Sequence, residues 1–133
     1  MKSREDLELK NLIDGYNQCF YENNIVGLKA FYPDDNGLIY FDNHENNDTY
    51  TVDTHIALLE NFFKNGKKTE SGKVEEILID HMNYFKTADS ACICFLVRYK
   101  SFPRPAVRTT MYMEKIHSNW KIRHVHCSFE PGK

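Results

Sequence analysis

The sequence predicts one α+β domain, in which helices cover one face of a strongly curved antiparallel sheet. In the first third of the chain, apolar residues recur at spacings of three and four, as on one face of a helix. From residue 73 onward the period changes to two, as in strands with one buried face. No linker rich in Pro, Gly or Ser interrupts the 133 residues, so we expect a single domain over residues 1–133.

Three helices are predicted, each following a polar residue that can cap its first turn. Ser3 and Asp6 resemble a capping box before the first helix, and Asn24 can cap the second. The third helix follows a cap at Asp53 or Thr54 and carries a continuous apolar stripe. The first two predicted spans are residues 4–22 and 25–31, and the third helix is predicted to end at Asn65-Gly66.

Six strands are predicted, as a short hairpin before the third helix and a meander of four long strands after it. The connections within the meander are short enough for antiparallel hairpins. One face of the second long strand, from Ala91 to Tyr99, is apolar without interruption, and helices must cover it because a lone sheet cannot bury that face. The predicted spans are residues 38–41, 50–52, 74–85, 91–102, 107–117 and 120–129.

Composition argues against several classes of protein. The formal net charge is −2 and the basic residues are scattered, so no nucleic-acid partner is expected. No apolar run approaches the roughly 20 residues that cross a bilayer, so no membrane association is expected. The amino terminus lacks the apolar stretch of a signal peptide, which favours a cytoplasmic location. The four cysteines have neither disulfide-framework nor CxxC spacing and are interpreted as reduced thiols.

Three stretches of sequence carry a family resemblance. They are Asp53-x-His55 with Glu60-Asn61, then Asp89-Ser90-Ala91-Cys92-Ile93, and finally Trp120-x-Ile122-x-His124-x-His126-x-Ser128. In this order, and with the predicted succession of elements, the chain resembles NTF2-like domains of the SnoaL-like branch. It also resembles the association (hub) domain of calcium/calmodulin-dependent protein kinase II over most of residues 7–131. The resemblance implies a cone-shaped sheet, about three helices on its concave side, a pocket between them, and usually a homodimer.

The same resemblance places an apolar pocket on particular residues. The histidine of the hub pocket falls on His55 and its tryptophan on Phe63. The three arginines of that pocket fall on Val97, Met111 and Cys127, so the charges that would bind an anion are replaced by apolar or thiol side chains.

Two further pocket residues come from the fold and from the strand pattern. Ketosteroid isomerases share the fold and use a tyrosine, whose place Tyr16 on the first helix can take, whereas their two acids have no match here. Phe95 belongs to the apolar face of the sheet and is expected in the pocket wall, where core and pocket lining overlap.

His55 and Arg123 are the polar residues that the patterns direct toward this pocket. His55 lies in the first turn of a helix, where the dipole disfavours an imidazolium, so a neutral ring is expected. It can orient a ligand or accept a proton, and a purely structural hydrogen-bonded histidine is the alternative. Arg123 shares the strand parity of Cys127 and is predicted to face the cavity and pair with a ligand carboxylate, or else to form a structural ion pair.

His124 and His126 lie two apart on a strand and therefore share a face, as two nitrogen ligands of a metal would. The neighbouring strand supplies no third ligand near them, so a role in hydrogen bonding or at a dimer interface is favoured and no metal is expected. Cys127 faces the other way from His126, which argues against a cysteine nucleophile.

Three hypotheses about function follow. The leading one is a homodimeric domain that binds an unknown small molecule in a mostly apolar pocket, without a cofactor. The first alternative is an isomerase or cyclase without metal or redox cofactor, in which His55 removes a proton and Tyr16 stabilises the enolate. The second is a non-catalytic oligomerisation module that assembles through the convex face of the sheet, with His124, His126 and Arg108.

Overall fold

The computed structural model describes residues 6–42, 47–65, 77–100 and 104–131. Helices precede the long strands in chain order, as the change of period predicts. The helices are α1 (Leu7–Tyr21), α2 (Ile25–Lys29) and α3 (Val52–Asn65). The strands are β1 (Gly37–Phe41), β2 (Thr49–Thr51), β3 (Ile77–Lys86), β4 (Ser90–Tyr99), β5 (Val107–Ile116) and β6 (Asn119–Phe129).

Side-chain caps fix where the helices begin. Asp6 caps α1, because its carboxylate accepts a hydrogen bond from the Leu9 amide at 3.0 Å, whereas Ser3 lies outside the described residues. Asn24 caps α2 as predicted, through the Gly27 amide at 2.9 Å. The expected cap of α3 at Asp53 or Thr54 is wrong by two or three residues, because the hydroxyl of Thr51 accepts the Thr54 amide at 3.1 Å.

The six strands form one sheet in the order β2-β1-β6-β5-β4-β3. The meander from β3 to β6 is antiparallel throughout, and β1 pairs with β2 in the same manner. The prediction of an antiparallel sheet is wrong at one place, since β1 lies parallel to β6 with Tyr40 opposite Val125. The sheet is therefore a mixed one, and β1 attaches the helical half of the chain to its last strand.

A single apolar core fills the concave side of the sheet. Alternate residues of β4 are buried there, and the prediction that helices cover this face is confirmed by the packing of Leu9 and Ile13 of α1 and Ile56 of α3 in the same cluster. Complete burial of a side chain of this size stabilises a fold by about 1.5–3 kcal/mol. Within the described residues, no helix has the length and apolar composition needed to cross a membrane.

A bulge in β6 changes which side chains face the core. Ile122 pairs with Met113 and His124 pairs with the adjacent Tyr112, so Arg123 is an extra residue with no β5 residue opposite it in the ladder. Ile122 and Val125 are consequently both buried although they are three residues apart. Strict alternation along this strand would place them on opposite faces.

Candidate functional site

His55 lies in the core, in the first turn of α3, with aromatic rings on two sides. Only 4% of its surface is exposed. The ring of Tyr40 from β1 stacks on it, with ring centroids 4.1 Å apart and planes 22° from parallel. The Nε2 atom is hydrogen-bonded to the hydroxyl of Tyr32 at 3.1 Å.

The hydroxyl of Tyr32 connects His55 to Tyr16. The two tyrosine oxygens are 2.7 Å apart, so Tyr16, Tyr32 and His55 form one buried hydrogen-bonded chain, which we call the phenol–imidazole chain. Tyr16 comes from α1, Tyr32 from the segment after α2, and His55 from α3. The predicted residues His55 and Tyr16 are thus brought together, through a third residue that the sequence patterns did not indicate.

Burial keeps every member of this chain uncharged near neutral pH. It lowers the pKa of His55 from 6.5 to about 4, so burial, rather than the helix dipole that the sequence suggested, favours the neutral imidazole. Burial also raises the pKa of the Tyr16 and Tyr32 phenols above their usual value of 10. Each phenol has one proton to donate, so both hydrogen bonds of the series point in the same direction along it. The tautomer of His55 sets this direction, because Nε2 either accepts from Tyr32 or donates to it.

Tyr40 extends the polar contacts from His55 to the sheet. Its hydroxyl lies 3.9 Å from the Sγ atom of Cys127, and the Thr109 hydroxyl lies 3.8 Å from the same sulfur. Burial raises the pKa of the Cys127 thiol and so keeps it protonated. Cys127 therefore faces the His55 side of the sheet, and the exposed His126 faces away from it, as strand parity predicts.

The remaining residues predicted to line the pocket join the same core. Phe63 contacts Phe20 edge to face, with ring centroids 5.6 Å apart. Phe95 and Met111 are buried in the cluster, and Val97 packs against it while partly exposed. The apolar residues that the resemblance selects are therefore neighbours in one core, and their contact with a ligand stays a prediction.

Arg123 does not face this core, contrary to the parity argument. Its guanidinium donates to Asp35 at 2.6 Å and to Glu114 at 2.7 Å, and also to the carbonyl of Gly37 at 3.2 Å. The bulge at Arg123 explains the difference, because the extra residue turns the side chain to the face that carries Glu114. The structural ion pair, which was the alternative interpretation, is the arrangement observed. These contacts lower the pKa of Asp35 to about 2.

His124 and His126 lie on the convex face of the sheet. The Nδ1 atom of His124 is hydrogen-bonded to the carbonyl of Ile39 at 2.8 Å, and Phe41 meets both imidazoles edge to face. Over the part of the chain that the structure describes, no three His, Cys, Asp or Glu side chains are grouped so as to hold a metal ion.

A surface depression of about 320 Å³ adjoins the phenol–imidazole chain. Tyr32 contributes to its wall, so one residue belongs both to the depression and to the buried chain. The other residues around it come from α2, the segment before β1 and the start of α3. They are Lys29, Pro33, Asp34, Asn36, Val52 and Asp53.

The sequence patterns missed Tyr32 and Tyr40. Tyr32 follows a helix that is ended by i to i−3 hydrogen bonds and by Pro33, where spacing does not indicate the direction of a side chain. Strand alternation places Tyr40 on the face opposite to Ile39 and Phe41, but it does not show which face is the core, and only the parallel pairing with β6 in the structure shows that.

Comparison with known proteins supports the fold. No model of a protein family matches the chain, and no curated protein sequence matches it. Among solved structures, an NTF2-like protein of unknown function from Pseudomonas putida KT2440 is similar with a TM-score of 0.77 and 20% identity, covering 91% of this chain and 83% of that one.

Two similar structures are candidate calcium/calmodulin-dependent protein kinase II association domains. The one from Xanthomonas campestris has a TM-score of 0.72 and 19% identity, and covers 97% of this chain and 90% of that one. The one from Thiobacillus denitrificans ATCC 25259 has a TM-score of 0.72 and 12% identity, and covers 98% of this chain and all of the other. The resemblance to both groups is confirmed at the level of structure, and the chain has the NTF2-like fold.

Proposed function

We propose that this chain binds an uncharged small organic molecule next to the phenol–imidazole chain, on the concave side of the sheet. The observation that carries the proposal is the buried hydrogen-bonded series Tyr16, Tyr32 and His55. Burying three polar groups in an aromatic core costs free energy that apolar residues of similar size avoid. A ligand that uses their hydrogen bonds accounts for their presence, and so does a purely structural role, which the experiment below separates from binding.

The absence of a positive charge within the phenol–imidazole chain itself favours a neutral ligand over a carboxylate. Arg123, the one cation that the sequence directed toward the cavity, is engaged by Asp35 and Glu114 on the other face. With a pKa of about 4, His55 is uncharged near pH 7 and offers no compensating positive charge. The phenol–imidazole chain can offer one hydrogen-bond donor or one acceptor at its Tyr16 end. A carbonyl or hydroxyl group of a ligand matches this.

A thermal-shift screen of neutral ketones, polycyclic alcohols and the matching carboxylates tests the proposal. A ligand that binds only the folded protein raises the melting temperature, and the shift grows with its concentration. Hits among the neutral compounds should be lost in His55→Ala and in Tyr32→Phe and kept in His126→Ala, whose imidazole lies on the convex face. A ligand shift that survives both core substitutions would contradict the assignment of this site.

A second candidate is an isomerase in which His55 and Tyr16 act on one substrate. The hydrogen bonds through Tyr32 favour it, since they connect the proposed base with the proposed oxyanion donor. The low pKa of His55 weakens it as a base for carbon-bound protons. Incorporation of deuterium α to the carbonyl of a bound ketone, followed by NMR in heavy water, separates catalysis from binding. A ketone that binds without exchanging its α hydrogens would exclude this reaction and leave binding as the function.

A third candidate is assembly with a second copy of the chain through the convex face of the sheet. Three Ile, Leu or Phe side chains of that face are more than 40% exposed among the described residues, and two structures of similar fold are described as candidate association domains. They are Ile39, Leu78 and Phe85. Strand register places all three on the face that carries His124 and Cys92.

A further inference from the structure

Two cysteines lie side by side on the convex face, on the strand next to the edge strand β3. Cys92 and Cys94 are two residues apart on β4, so both point away from the core that Ile93 and Phe95 enter. Both are half-buried free thiols. Cys94 lies close enough to Cys92 to raise the pKa of its thiol, together with burial, which acts more strongly.

The spacing of these thiols disfavours a disulfide. Residues two apart on one strand have Cα atoms about 6.6–6.8 Å apart, at the upper limit for a disulfide, and their Cβ atoms point in parallel rather than toward each other. An atom bound to both sulfurs spans a longer gap than a direct S–S bond. The pair is therefore better suited to chelation than to oxidation.

An unpaired acceptor lies next to the two thiols. Asn83 of β3 is directly opposite Cys94 in the antiparallel ladder, so the two side chains share a face with Cβ atoms about 5 Å apart. The amide nitrogen of Asn83 donates to the carbonyl of His81 at 3.4 Å. Its Oδ1 atom is buried and has no hydrogen-bond partner among the described residues. Since buried polar atoms are normally hydrogen-bonded, this acceptor is available to a hydrogen-bond donor of a ligand.

We propose that Cys92, Cys94 and Asn83 form a binding site for a trivalent metalloid hydroxide such as arsenous acid. Each thiol replaces one hydroxyl on arsenic, so two S–H and two As–O bonds break, two As–S bonds form and two water molecules leave. Arsenic stays trivalent and neither thiol is oxidised. The one remaining As–OH group donates a hydrogen bond to Oδ1 of Asn83.

Titration of the native protein with arsenite, followed by native mass spectrometry and by counting free thiols, tests this site. The expected product has one arsenic atom per chain and two fewer reactive thiols. Both changes should be lost in Cys92→Ser and in Cys94→Ser, and both should persist in Cys19→Ser, a half-buried thiol of α1. Circular dichroism melting of each variant establishes that it is folded, and Cys94→Ala serves as a second variant if serine disturbs Thr110.

The amide has its own test. Asn83→Leu should weaken arsenite binding about tenfold, as expected for the loss of one buried hydrogen bond. The same substitution should not affect phenylarsine oxide, whose adduct with two thiols carries no hydroxyl. An adduct that persists in either single-cysteine variant, or a folded wild-type chain that takes up no arsenic, would overturn the site. Equal arsenite affinity of wild type and Asn83→Leu would remove Asn83 from it.

Discussion

At the scale of single residues, His55 makes stability depend on pH. Its pKa is lowered from 6.5 to about 4 in the folded chain, so above pH 6.5 both the folded and the unfolded states hold it neutral. As the pH falls below 6.5, the unfolded state takes up a proton first and folding loses free energy. We expect the free energy of unfolding to fall by about 2 kcal/mol between pH 7 and pH 5 through His55 alone. Urea denaturation at the two pH values measures it.

The control for this prediction is His55→Gln, which removes the titrating group. Hydrogen bonds from Arg123 hold the carboxyl pKa of Asp35 at about 2 and lower the pKa of Glu114, so these acids protonate mainly below this window. The difference in pH dependence between wild type and His55→Gln is therefore attributed to His55. An equal loss of stability in both proteins would show that the imidazole titrates in its ordinary range.

Tyr32 is the member of the phenol–imidazole chain with two partners. Tyr32→Phe leaves a buried hydroxyl on Tyr16 and a buried ring nitrogen on His55 unpaired, so we expect a loss of about 1–3 kcal/mol in the free energy of unfolding. Tyr16→Phe removes one hydrogen bond at the end of the chain and should cost less, about 1 kcal/mol. Urea denaturation at pH 7 compares the stability of the two variants. A larger loss in Tyr16→Phe than in Tyr32→Phe would contradict the central position of Tyr32 in the phenol–imidazole chain.

Only some site residues were predictable from spacing. His55 and Tyr16 were found through the family resemblance, and Tyr16 also lies on the apolar stripe of the first helix, where the direction of a side chain follows from periodicity. Tyr32 could not be found from spacing, since it follows a helix end where no period applies. The predicted direction of Arg123 was wrong because one extra residue inverts the alternation of side chains along a strand. Nothing in the local sequence marks that bulge.

At the scale of elements, the start of α3 depends on Asn36. Its backbone carbonyl accepts the Val52 amide at 3.1 Å, and its side-chain oxygen accepts the Asp53 amide at 2.9 Å. With φ at 66°, it occupies the left-handed region that asparagine tolerates better than most residues. Asn36 therefore fixes the first turn of the helix that carries His55.

Substitutions at Asn36 should separate these two contributions. Asn36→Gly loses the side-chain hydrogen bond but relieves the strain of the positive φ. It should lower the free energy of unfolding by about 1 kcal/mol. Asn36→Ala loses the bond and also strains φ, and should cost about 2 kcal/mol or more. Asn36→Asp keeps an acceptor and should stay within about 0.5 kcal/mol of wild type. Thermal unfolding checks the order, and an alanine variant as stable as the glycine variant would mean that the backbone conformation carries no strain.

The elements themselves were easier to predict than their pairing. Helix and strand follow from a period read within about ten residues, and hairpin pairing follows from short connections. The parallel pairing of β1 with β6 joins residues that are 85 positions apart, and no local pattern reports on such a contact. That is why the helices and the meander were anticipated while the mixed sheet was not.

At the scale of the whole molecule, the exposed apolar side chains of the convex face lead to a prediction about assembly. We expect a homodimer, because covering Ile39, Leu78 and Phe85 removes apolar surface from water. Phe85→Lys places a charge in that interface and should raise the dissociation constant at least tenfold, as measured by sedimentation equilibrium.

Val26→Lys is the matched control for this prediction. Val26 is 82% exposed, on α2 and away from the sheet, so the same charge there should leave association unchanged. A wild-type chain that sediments as a monomer at high concentration would exclude the dimer. Equal weakening by both substitutions would indicate a general effect of charge rather than an interface on the sheet.

The parallel contact between β1 and β6 also sets an order of events during synthesis. Ile39 leaves the ribosome long before His124, its partner across 85 positions, and at about 5–20 residues per second the delay is about 4 to 17 s. Throughout that interval Tyr40 lacks Val125 beside it, and the aromatic side chains of the first half have no finished sheet to cover them. The surroundings of His55 are therefore completed only once the final strand has been made.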